Sequence, residues 1–350
     1  MKILITGGHF TPAIALIEEL KKDYKLVFVG RKYSQEKGFL SLEYQEITKL
    51  GIPFHNLETG RSNHNFFKLI TGLYQAEKIL SQEVPDLIIS FGGYLGFPIC
   101  LGALLKTTPV YIHEQTTNPG QANRLTSQFA KKIFVSFPQA AKFFPQSKTI
   151  ISGNPLRPDV FKIIKQPFVL KRDRPVIYIT GGSLGAHSIN LLIEKILPEL
   201  KKRYYIIHQT GNVQEFQDFK RLSQYKDNYY FPVEHFSSDE IGAVFAMSNL
   251  IISRSGANTY FELIALGKPA ILIPLPWSAK NEQQQQAELL QKAGRGEIFN
   301  QKNPPEKLLT LINQTIDNVQ QYKNNINKLP KNNHSNAVKI IHQTIQQEFC

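Results

Sequence analysis

The sequence contains very little cysteine and no metal-binding pattern. Only Cys100 and Cys350 occur in 350 residues, and there is no CxxC pair or Cys/His cluster. This usage is typical of a reducing compartment and argues against a disulfide framework or structural zinc. The amino-terminal MKILITGGHF lacks an apolar stretch of signal-peptide length, so we interpret it as the first strand of a cytoplasmic protein.

Other absences exclude several ligand classes. There is no Walker A motif, no complete GxGxxG fingerprint and no Asp-x-Asp pair, which are the usual devices for nucleotides and metal-chelated sugar nucleotides. No long Lys/Arg run or zinc-finger spacing points to nucleic acid. The uncharged stretch from Leu87 to Leu105 has the length of a bilayer span, but its glycines and Pro98 favour a buried strand, a loop and a helix.

The charge balance predicts an acidic partner. Lys and Arg number 41 against 28 Asp and Glu, which gives a formal net charge of +13. Anionic lipid headgroups and phosphorylated substrates both fit this charge. A length of 350 residues with 42% hydrophobic residues is sufficient for two globular domains, each with its own core.

Short apolar runs alternate with longer helical patterns. The runs are KILIT (2–6), KLVFVG (25–30), DLIISF (86–91), PVYIHE (109–114), KIFVSF (132–137), KTIISG (148–153), PVIYITGG (175–182), YYIIHQTG (204–211), YYFPVEHF (229–236), LIISRSG (250–256) and PAILIPLP (269–276). This βαβ alternation predicts an α/β protein with two doubly wound parallel sheets. We predict an N-terminal domain over 1–156, a second domain over 157–334, and a C-terminal helix over 335–350 that packs on the first domain.

Four glycine-containing segments follow predicted strands. They are TGGH (6–9), GGY (92–94), TGGSLGA (180–186) and RSGANTYFE (254–262). Ligands of open α/β sheets bind beyond the carboxyl ends of the strands. Glycine lets the backbone approach a phosphate, and the free N–H groups of the following helix attract the anion. One such turn is more often only a tight turn, but the four together indicate a phosphate-bearing ligand.

The segments together resemble the MurG family, glycosyltransferase family 28. The matching stretches, in family order, are TGGHFTPA (6–13), SFGGYLGFP (90–98), IHEQTTNPGQANRL (112–125), GNPLRPDVF (153–161), GGSLGAHSIN (181–190), HQTG (208–211), SRSGANTYFELIALGKPAILIPLP (253–276) and NEQQQQAELLQKAG (281–294). The resemblance implies a GT-B fold, in which two Rossmann-like domains face each other across a cleft. It also implies inverting transfer of N-acetylglucosamine from UDP-GlcNAc to the 4-hydroxyl of MurNAc in undecaprenyl-pyrophosphoryl-MurNAc-pentapeptide (lipid I to lipid II), without a cofactor or essential metal.

The same resemblance implies the partners and the location. The partners are UDP-GlcNAc, lipid I, an anionic membrane surface and other cell-wall synthesis proteins, with no nucleic acid. The protein is expected to be peripheral at the cytoplasmic face of the cell membrane, with RSNHNFFKLITGLYQAEKIL (61–80) as a basic and apolar contact. Two alternatives stay open: another GT-B glycolipid glycosyltransferase, and a non-catalytic UDP-sugar-binding scaffold.

The resemblance places a general base in the first domain. His9 follows two glycines at a strand end, and an imidazole can accept a proton from the attacking hydroxyl near neutral pH. The alternative role of His9 is to cap a helix or contact a phosphate. Glu114 is the second candidate base, and its alternative role is to hold together the loops of the first domain.

The resemblance assigns the donor chiefly to the second domain. Ser183 is expected to cap its helix and meet the diphosphate, Arg157 to bring a cationic fork to the diphosphate, and Glu262 to accept the ribose hydroxyls. The other expected donor contacts are Thr6, Gly7, Gly8, Thr116, Ser238, Ala257, Asn258, Thr259, Tyr260, Phe261 and Gln283. The expected acceptor contacts are Tyr94, His113 and Gln115.

The sequence departs from the family pattern at four places. The first glycine loop is shortened to TGGH, and Thr116 stands where the family has Asn. HFSSDE (235–240) replaces the family's Phe-Ile-Asp-Asp segment, which leaves Ser238 as the candidate uracil contact. GGYLGFP (92–98) replaces GGYxSGP.

Overall fold

The computed structural model describes residues 1–33, 39–59, 66–171, 173–182, 185–213, 215–327 and 336–349. The chain divides into two compact units. The first unit comprises Met1–Arg157 together with Asn333–Cys350, and the second unit comprises Pro158–Asn332.

The first unit is built on a seven-stranded parallel sheet. The strands are β1 (Lys2–Thr6), β2 (Lys25–Gly30), β3 (Phe54–Asn56), β4 (Leu87–Ser90), β5 (Val110–Glu114), β6 (Lys132–Val135) and β7 (Thr149–Ile151), in the spatial order β3-β2-β1-β4-β5-β6-β7. The helices are α1 (Phe10–Leu20), α2 (Leu42–Lys49), α3 (Phe66–Glu83), α4 (Gly93–Leu105), α5 (Gln121–Thr126) and α6 (Pro138–Ala141).

The central strands β1 and β4 of the first unit have apolar side chains on both faces because both faces of the sheet are covered. Successive side chains of a strand point to opposite faces. Ile3 and Ile5 therefore join one hydrophobic cluster with Ile89, while Leu4 joins the other with Ile88. All five side chains are fully buried, which explains why continuous apolar runs, and not alternating ones, identified these strands.

The second unit repeats this plan with six parallel strands. They are β8 (Val176–Thr180), β9 (Tyr205–Gln209), β10 (Tyr230–Val233), β11 (Leu250–Ser253), β12 (Ala270–Leu272) and β13 (Gly296–Ile298), in the order β10-β9-β8-β11-β12-β13. The helices are α7 (His187–Arg203), α8 (Asp218–Ser223), α9 (Ser238–Met247), α10 (Ala257–Ala265), α11 (Glu282–Lys292), α12 (Pro305–Asp317) and α13 (Val319–Asn327). The predicted fold class, two doubly wound α/β sheets, is confirmed.

A C-terminal helix, α14 (Ala337–Phe349), packs on the first unit. Ile341 and Ile345 are fully buried in the same cluster as Ile3 and Ile5. At the helix surface, His342 Nε2 lies 3.2 Å from a carboxylate oxygen of Asp23, in the turn that follows α1. Among the described residues, no helix combines the length and the apolar character that crossing a membrane requires.

Candidate active site

The strand order reverses between β1 and β4 in the first unit, and both strands end in glycine turns that touch each other. The Gly8 N–H donates to the Gly92 carbonyl over 2.9 Å. A Cβ on Gly8 would lie 2.8 Å from both the Gly92 oxygen and the Gly93 Cα. Gly92 and Gly93 also have φ angles of 71° and 75°, which side-chain-bearing residues rarely adopt. The glycines therefore permit a direct backbone contact that brings the starts of α1 and α4 together.

His9 stands at this contact, immediately before α1. It is half-buried, and its side chain makes no capping hydrogen bond to the helix. Burial lowers the pKa of His9 below its usual 6.5, and the negative charge of Glu114 opposes this shift. A neutral imidazole is the form that accepts a proton, so the environment suits a general base near neutral pH.

Glu114, at the end of β5, is buried and its carboxylate is fully engaged. Its Oε1 accepts the Thr116 N–H over 2.9 Å and lies 2.7 Å from the Thr116 hydroxyl. Its Oε2 accepts the Asn123 amide over 2.9 Å and the Gly120 N–H over 3.3 Å. The Asn123 amide also lies against Gly92, 2.8 Å from where a Cβ would stand. This geometry favours the alternative role of Glu114, which is to hold the loops around His9.

The hydroxyl of Thr116, expected to contact the donor, is directed to Glu114 within its own unit. His113, on β5, is almost fully buried, and its Nε2 lies 3.3 Å from both the Gly153 carbonyl and the Ser136 hydroxyl. Burial, helped by the nearby His9, lowers the pKa of His113 to about 4. His113 is therefore neutral at physiological pH and fixes loops beneath the glycine turns.

At the ends of β1 and β5, three of the expected site residues carry buried polar atoms without hydrogen-bond partners among the described residues. These atoms are Thr6 Oγ1, His113 Nδ1 and Gln115 Oε1. Thr6 ends β1, and Gln115 directly follows β5. Buried polar groups in folded proteins are nearly always hydrogen-bonded to protein or water. This end of the sheet therefore has unused hydrogen-bonding capacity for water or a ligand.

In the second unit the glycine turn after β8 packs against the loop after β9. Gly182 and Gly185 have φ angles of 91° and 80°, and the Gly185 N–H donates to the Gly182 carbonyl over 3.1 Å. A Cβ on Gly185 would lie 2.1 Å from the Thr210 carbonyl oxygen. The Gln209 amide donates to the Gly182 carbonyl over 3.0 Å. Ser183 lies outside the described residues.

Arg254, directly after β11, joins the neighbouring loops and was given no role by the sequence. Its Nη1 donates to the Ile273 carbonyl over 2.9 Å, and its Nη2 donates to the Ser188 hydroxyl over 2.6 Å. Ser188 lies in the first turn of α7. Burial lowers the pKa of Arg254 to about 10, which leaves it cationic at neutral pH. The sequence feature that could have identified Arg254 is a basic residue between the end of a predicted strand and a glycine.

The expected donor residues of α10 separate into two groups. Asn258 and Thr259 are half-buried in its first turn, after the buried Ala257. Tyr260 and Phe261 are core residues, only 8% and 1% exposed, with ring centroids 5.1 Å apart. Glu262, in the second turn, is buried as well.

Gln283, in α11, connects the loops that follow β11 and β12. Its Oε1 accepts the Leu275 N–H over 3.0 Å, and its carbonyl accepts the Ser255 hydroxyl over 2.8 Å. The next residue, Gln284, lines a pocket of about 320 Å³ together with Asn281. Gln283, predicted to be a site residue, is therefore fixed at the carboxyl ends of the strands, as Arg254 is.

Two other expected donor residues follow strands that do not carry the glycine turns. Arg157 is half-buried in the segment that follows β7. Ser238 is the exposed first residue of α9, and the helix is capped by Ser237, which exchanges hydrogen bonds with Glu240. Within the described ranges, no three His, Cys, Asp or Glu side chains converge into a metal-binding group.

Comparison with known proteins identifies relatives over nearly the whole chain. The family model of the glycosyltransferase family 28 N-terminal domain matches residues 6–135, and that of the C-terminal domain matches residues 176–344. The chain is 35% identical, over 97% of each sequence, to the UDP-N-acetylglucosamine–N-acetylmuramyl-(pentapeptide) pyrophosphoryl-undecaprenol N-acetylglucosamine transferase of Clostridium perfringens. It is 32% identical, again over 97% of each, to the enzyme of the same name from Clostridium tetani.

Solved structures resemble the fold. The crystal structure of Acinetobacter baumannii MurG matches with a TM-score of 0.75 and 25% identity, covering 99% of each chain. The UDP-GlcNAc 2-epimerase of Neisseria meningitidis, bound to UDP-GlcNAc, matches with a TM-score of 0.67 and 18% identity, covering 99% of this chain and 100% of that one. At such low identity the epimerase shows only that the fold is shared.

Proposed function

The chain belongs to glycosyltransferase family 28, and from this premise we propose that it transfers N-acetylglucosamine from UDP-GlcNAc to the 4-hydroxyl of MurNAc in undecaprenyl-pyrophosphoryl-MurNAc-pentapeptide. The observation that carries the proposal is the 35% identity to the Clostridium perfringens transferase over 97% of both chains. The predicted relationship to this family is confirmed by the two family models. The reaction belongs to peptidoglycan synthesis.

In the proposed step, the acceptor 4-hydroxyl oxygen attacks C1 of N-acetylglucosamine from the face opposite UDP. The C1–O bond to the β-phosphate breaks, and UDP leaves with the electron pair. His9 takes the hydroxyl proton, and its lowered pKa keeps it neutral and able to do so. Glu114 is assigned a positioning role, because four hydrogen bonds occupy its carboxylate.

The acceptor is assigned to the first unit, at the end of the sheet where His113 and Gln115 have unused hydrogen-bonding atoms, while the neighbouring Thr6 remains a predicted donor contact. Tyr94 lies in the first turn of α4, directly after the glycine turn. A sugar bearing several hydroxyls supplies both donors and acceptors for such atoms. His9 is placed at the same strand ends, as proton abstraction from the acceptor requires.

The donor is assigned to the second unit, as the family relationship implies. The turn at Gly182 and Gly185 leads into α7, whose N-terminal dipole favours the diphosphate. Arg254 supplies a full positive charge beside the first turn of that helix. Glu262 is proposed to bind the ribose hydroxyls and Gln283 the sugar, while Asn258 and Thr259 line the start of α10. Arg157, Ser183 and Ser238 remain predicted donor contacts.

Contact with an anionic membrane surface, at its cytoplasmic face, is the finer part of the proposal. The net charge of +13 supports it. The first unit also exposes Phe39 by 66%, Leu42 by 56% and Tyr74 by 71%. In the predicted contact segment (61–80), Arg61 and the side chains of Phe66, Phe67 and Lys68 lie outside the described residues. Cosedimentation with anionic vesicles, compared with neutral vesicles, measures this attachment.

A transfer assay with radiolabelled UDP-GlcNAc and a short-chain lipid I analogue tests the reaction, with UDP-glucose as a competing donor. We expect one N-acetylhexosamine added per acceptor, and little inhibition by UDP-glucose. Binding of UDP-GlcNAc without turnover would instead identify a non-catalytic scaffold. Preferential use of UDP-glucose with a diacylglycerol acceptor would identify a different glycolipid transferase.

A further inference from the structure

An arginine of the first unit crosses the end of the strand that carries His9. Arg31 directly follows β2, and Tyr94 lies in the first turn of α4 after β4. The guanidinium carbon of Arg31 lies 4.9 Å from the centre of the Tyr94 ring. Strand β1 lies between β2 and β4, and neighbouring strands are about 4.8 Å apart. The Arg31 side chain therefore passes over the carboxyl end of β1, where Gly7, Gly8 and His9 lie.

The backbone of Arg31 is held in place from both sides. Its N–H donates to the Glu43 carboxylate, and its carbonyl accepts the Ser41 hydroxyl. The next residue, Lys32, donates its N–H to the Asn56 side chain over 2.9 Å, and its carbonyl accepts the Ser41 N–H over 2.9 Å. These hydrogen bonds fix the backbone of Arg31, and the contact with the Tyr94 ring fixes the position of its guanidinium.

Arg31 is half-buried as a residue and, among the described residues, its guanidinium forms no ion pair. Glu43 bonds the backbone of Arg31, not the guanidinium. Helices α1 and α4, which start at the same place, carry no acidic residue in their first turns. By contrast, Arg221 of the second unit pairs with both Asp218 and Glu194. Glu43 and Glu114 supply negative charge near these strand ends, but among the described residues neither accepts a hydrogen bond from the Arg31 guanidinium, so its N–H groups can donate to an anionic ligand.

We propose that the Arg31 guanidinium, held on the Tyr94 ring, binds the pyrophosphate of the lipid-linked acceptor and positions its sugar hydroxyl at His9. The inference rests on the proposed function. In the acceptor, the pyrophosphate lies between the reacting sugar and the prenyl chain. Arg31 fits this order, because its side chain crosses the strand end that carries His9, and the chain segment that follows it exposes Tyr33, Phe39 and Leu42. The planar guanidinium can offer two parallel N–H donors to phosphate oxygens.

The test compares two neighbouring charges in the intact chain. Arg31→Met and Lys32→Met remove the same charge, but Lys32 lies over Tyr33 and Tyr44, at 5.6 and 5.3 Å, and not over Tyr94. We expect Arg31→Met to raise the KM for a short-chain lipid I analogue about tenfold or more, since hydrogen bonds to charged groups are strong. The kcat and the KM for UDP-GlcNAc are expected to change by less than about twofold. Lys32→Met is expected to leave all three within about twofold.

Arg31→Lys refines the result, because it keeps the charge and loses the planar fork. We expect an acceptor KM between those of the wild type and Arg31→Met. Equal effects of Arg31→Met and Lys32→Met would overturn the inference, since they would indicate general charge attraction. A rise in the donor KM instead of the acceptor KM would also overturn it.

A binding measurement separates this inference from the proposed function. Calorimetric titration of the lipid I analogue, without donor, requires no turnover. Absence of transfer by the wild-type chain would count against the proposed function, yet binding that Arg31→Met weakens would still support the inference. An unchanged dissociation constant in Arg31→Met would refute it. Thermal unfolding of each variant confirms that the fold is retained, and Arg31→Lys provides the comparison if Arg31→Met does not fold.

Discussion

The two units have the same sheet topology, but they place different groups at the point where the strand order reverses. In the first unit the turns after β1 and β4 meet backbone to backbone, with Gly8 bonded to Gly92 over 2.9 Å and a half-buried imidazole beside them. In the second unit the turn after β8 packs on the loop after β9, and Arg254 bridges from β11 to α7. The same topology thus supplies a proton acceptor in one unit and a fixed cation in the other.

The two units also differ in how they hold a buried carboxylate. Glu114 accepts two backbone and two side-chain hydrogen bonds from neutral donors, so its charge is not cancelled and acts on His9. Asp218 is paired with Arg221, lies 2.9 Å from His187 Nδ1 and accepts the Asn190 amide over 2.7 Å. A carboxylate that is paired with a cation contributes to folding, whereas one held by neutral groups also shapes the field at a reactive group.

The largest expected effect is on the proton acceptor of the first unit. His9→Ala is expected to lower kcat by about 10²–10⁴, the range of a general base, while UDP-GlcNAc binding is retained. The control is His55→Ala, because His55 lies on the edge strand β3 and bonds Glu83 at the end of α3, not the glycine turns. Turnover in the transfer assay checks both variants. Unchanged turnover in His9→Ala would refute the base assignment, and a greater loss in Glu114→Gln would favour Glu114.

The glycine contacts of the two units give the next effect. Gly8→Ala and Gly185→Ala each place a Cβ within 3 Å of backbone atoms, and we expect each to destabilise its unit by about 1–3 kcal/mol through overpacking. The controls are Gly120→Ala and Gly256→Ala, where a Cβ meets nothing within 4 Å. Denaturant unfolding of the four variants measures this difference. Equal stability of all four would show that the turns can separate without cost.

A smaller and more selective effect is expected at the arginine of the second unit. Arg254→Met is expected to raise the KM for UDP-GlcNAc about tenfold, because a charge-assisted contact to the diphosphate is lost. The acceptor KM is expected to stay unchanged, which is the opposite of the Arg31→Met pattern. Arg174 is a suitable control, since it bonds the Lys201 carbonyl and lies over Tyr229, away from the glycine turns. Steady-state kinetics with each substrate varied in turn would show whether Arg254→Met changes only the donor KM and Arg31→Met only the acceptor KM.

The sequence predicted most of the fold because buried parallel strands leave a local signal. The apolar runs of β1, β4, β8 and β11 are continuous; β1 and β8 end in threonine followed by glycine, and β4 and β11 end in serine. Contacts between distant segments left no such signal. Arg31 and Tyr94 follow two strands that flank β1, so their contact depends on the strand order and not on local sequence. The Glu114 carboxylate receives all its hydrogen bonds only because the loop at 116–123 folds back on it. Tyr260 and Phe261 belong to a matching motif, yet the helical repeat directs them into the core.

The last prediction concerns the stability of each unit toward acid. Burial holds the pKa of His113 in the first unit at about 4 and that of His208 in the second unit at about 3. Both must stay neutral in the folded state, whereas an unfolded histidine titrates near 6.5. Their contribution to the free energy of unfolding is therefore complete above pH 6.5. It declines as the pH falls toward the folded pKa, by at most about 1.4 kcal/mol per pH unit for each histidine.

Replacing one histidine assigns this pH dependence to one unit. His208 bonds Tyr230 and Asn190 over 2.9 and 3.0 Å, and His208→Gln keeps a side chain that can donate and accept. We expect this variant to be less stable at pH 7.5 and to lose less stability than the wild type between pH 6.5 and 4.5. Denaturant unfolding at several pH values checks the slope. Parallel stability curves for the variant and the wild type would mean that His208 is not kept neutral by burial, and that the acid sensitivity of the second unit arises from other groups.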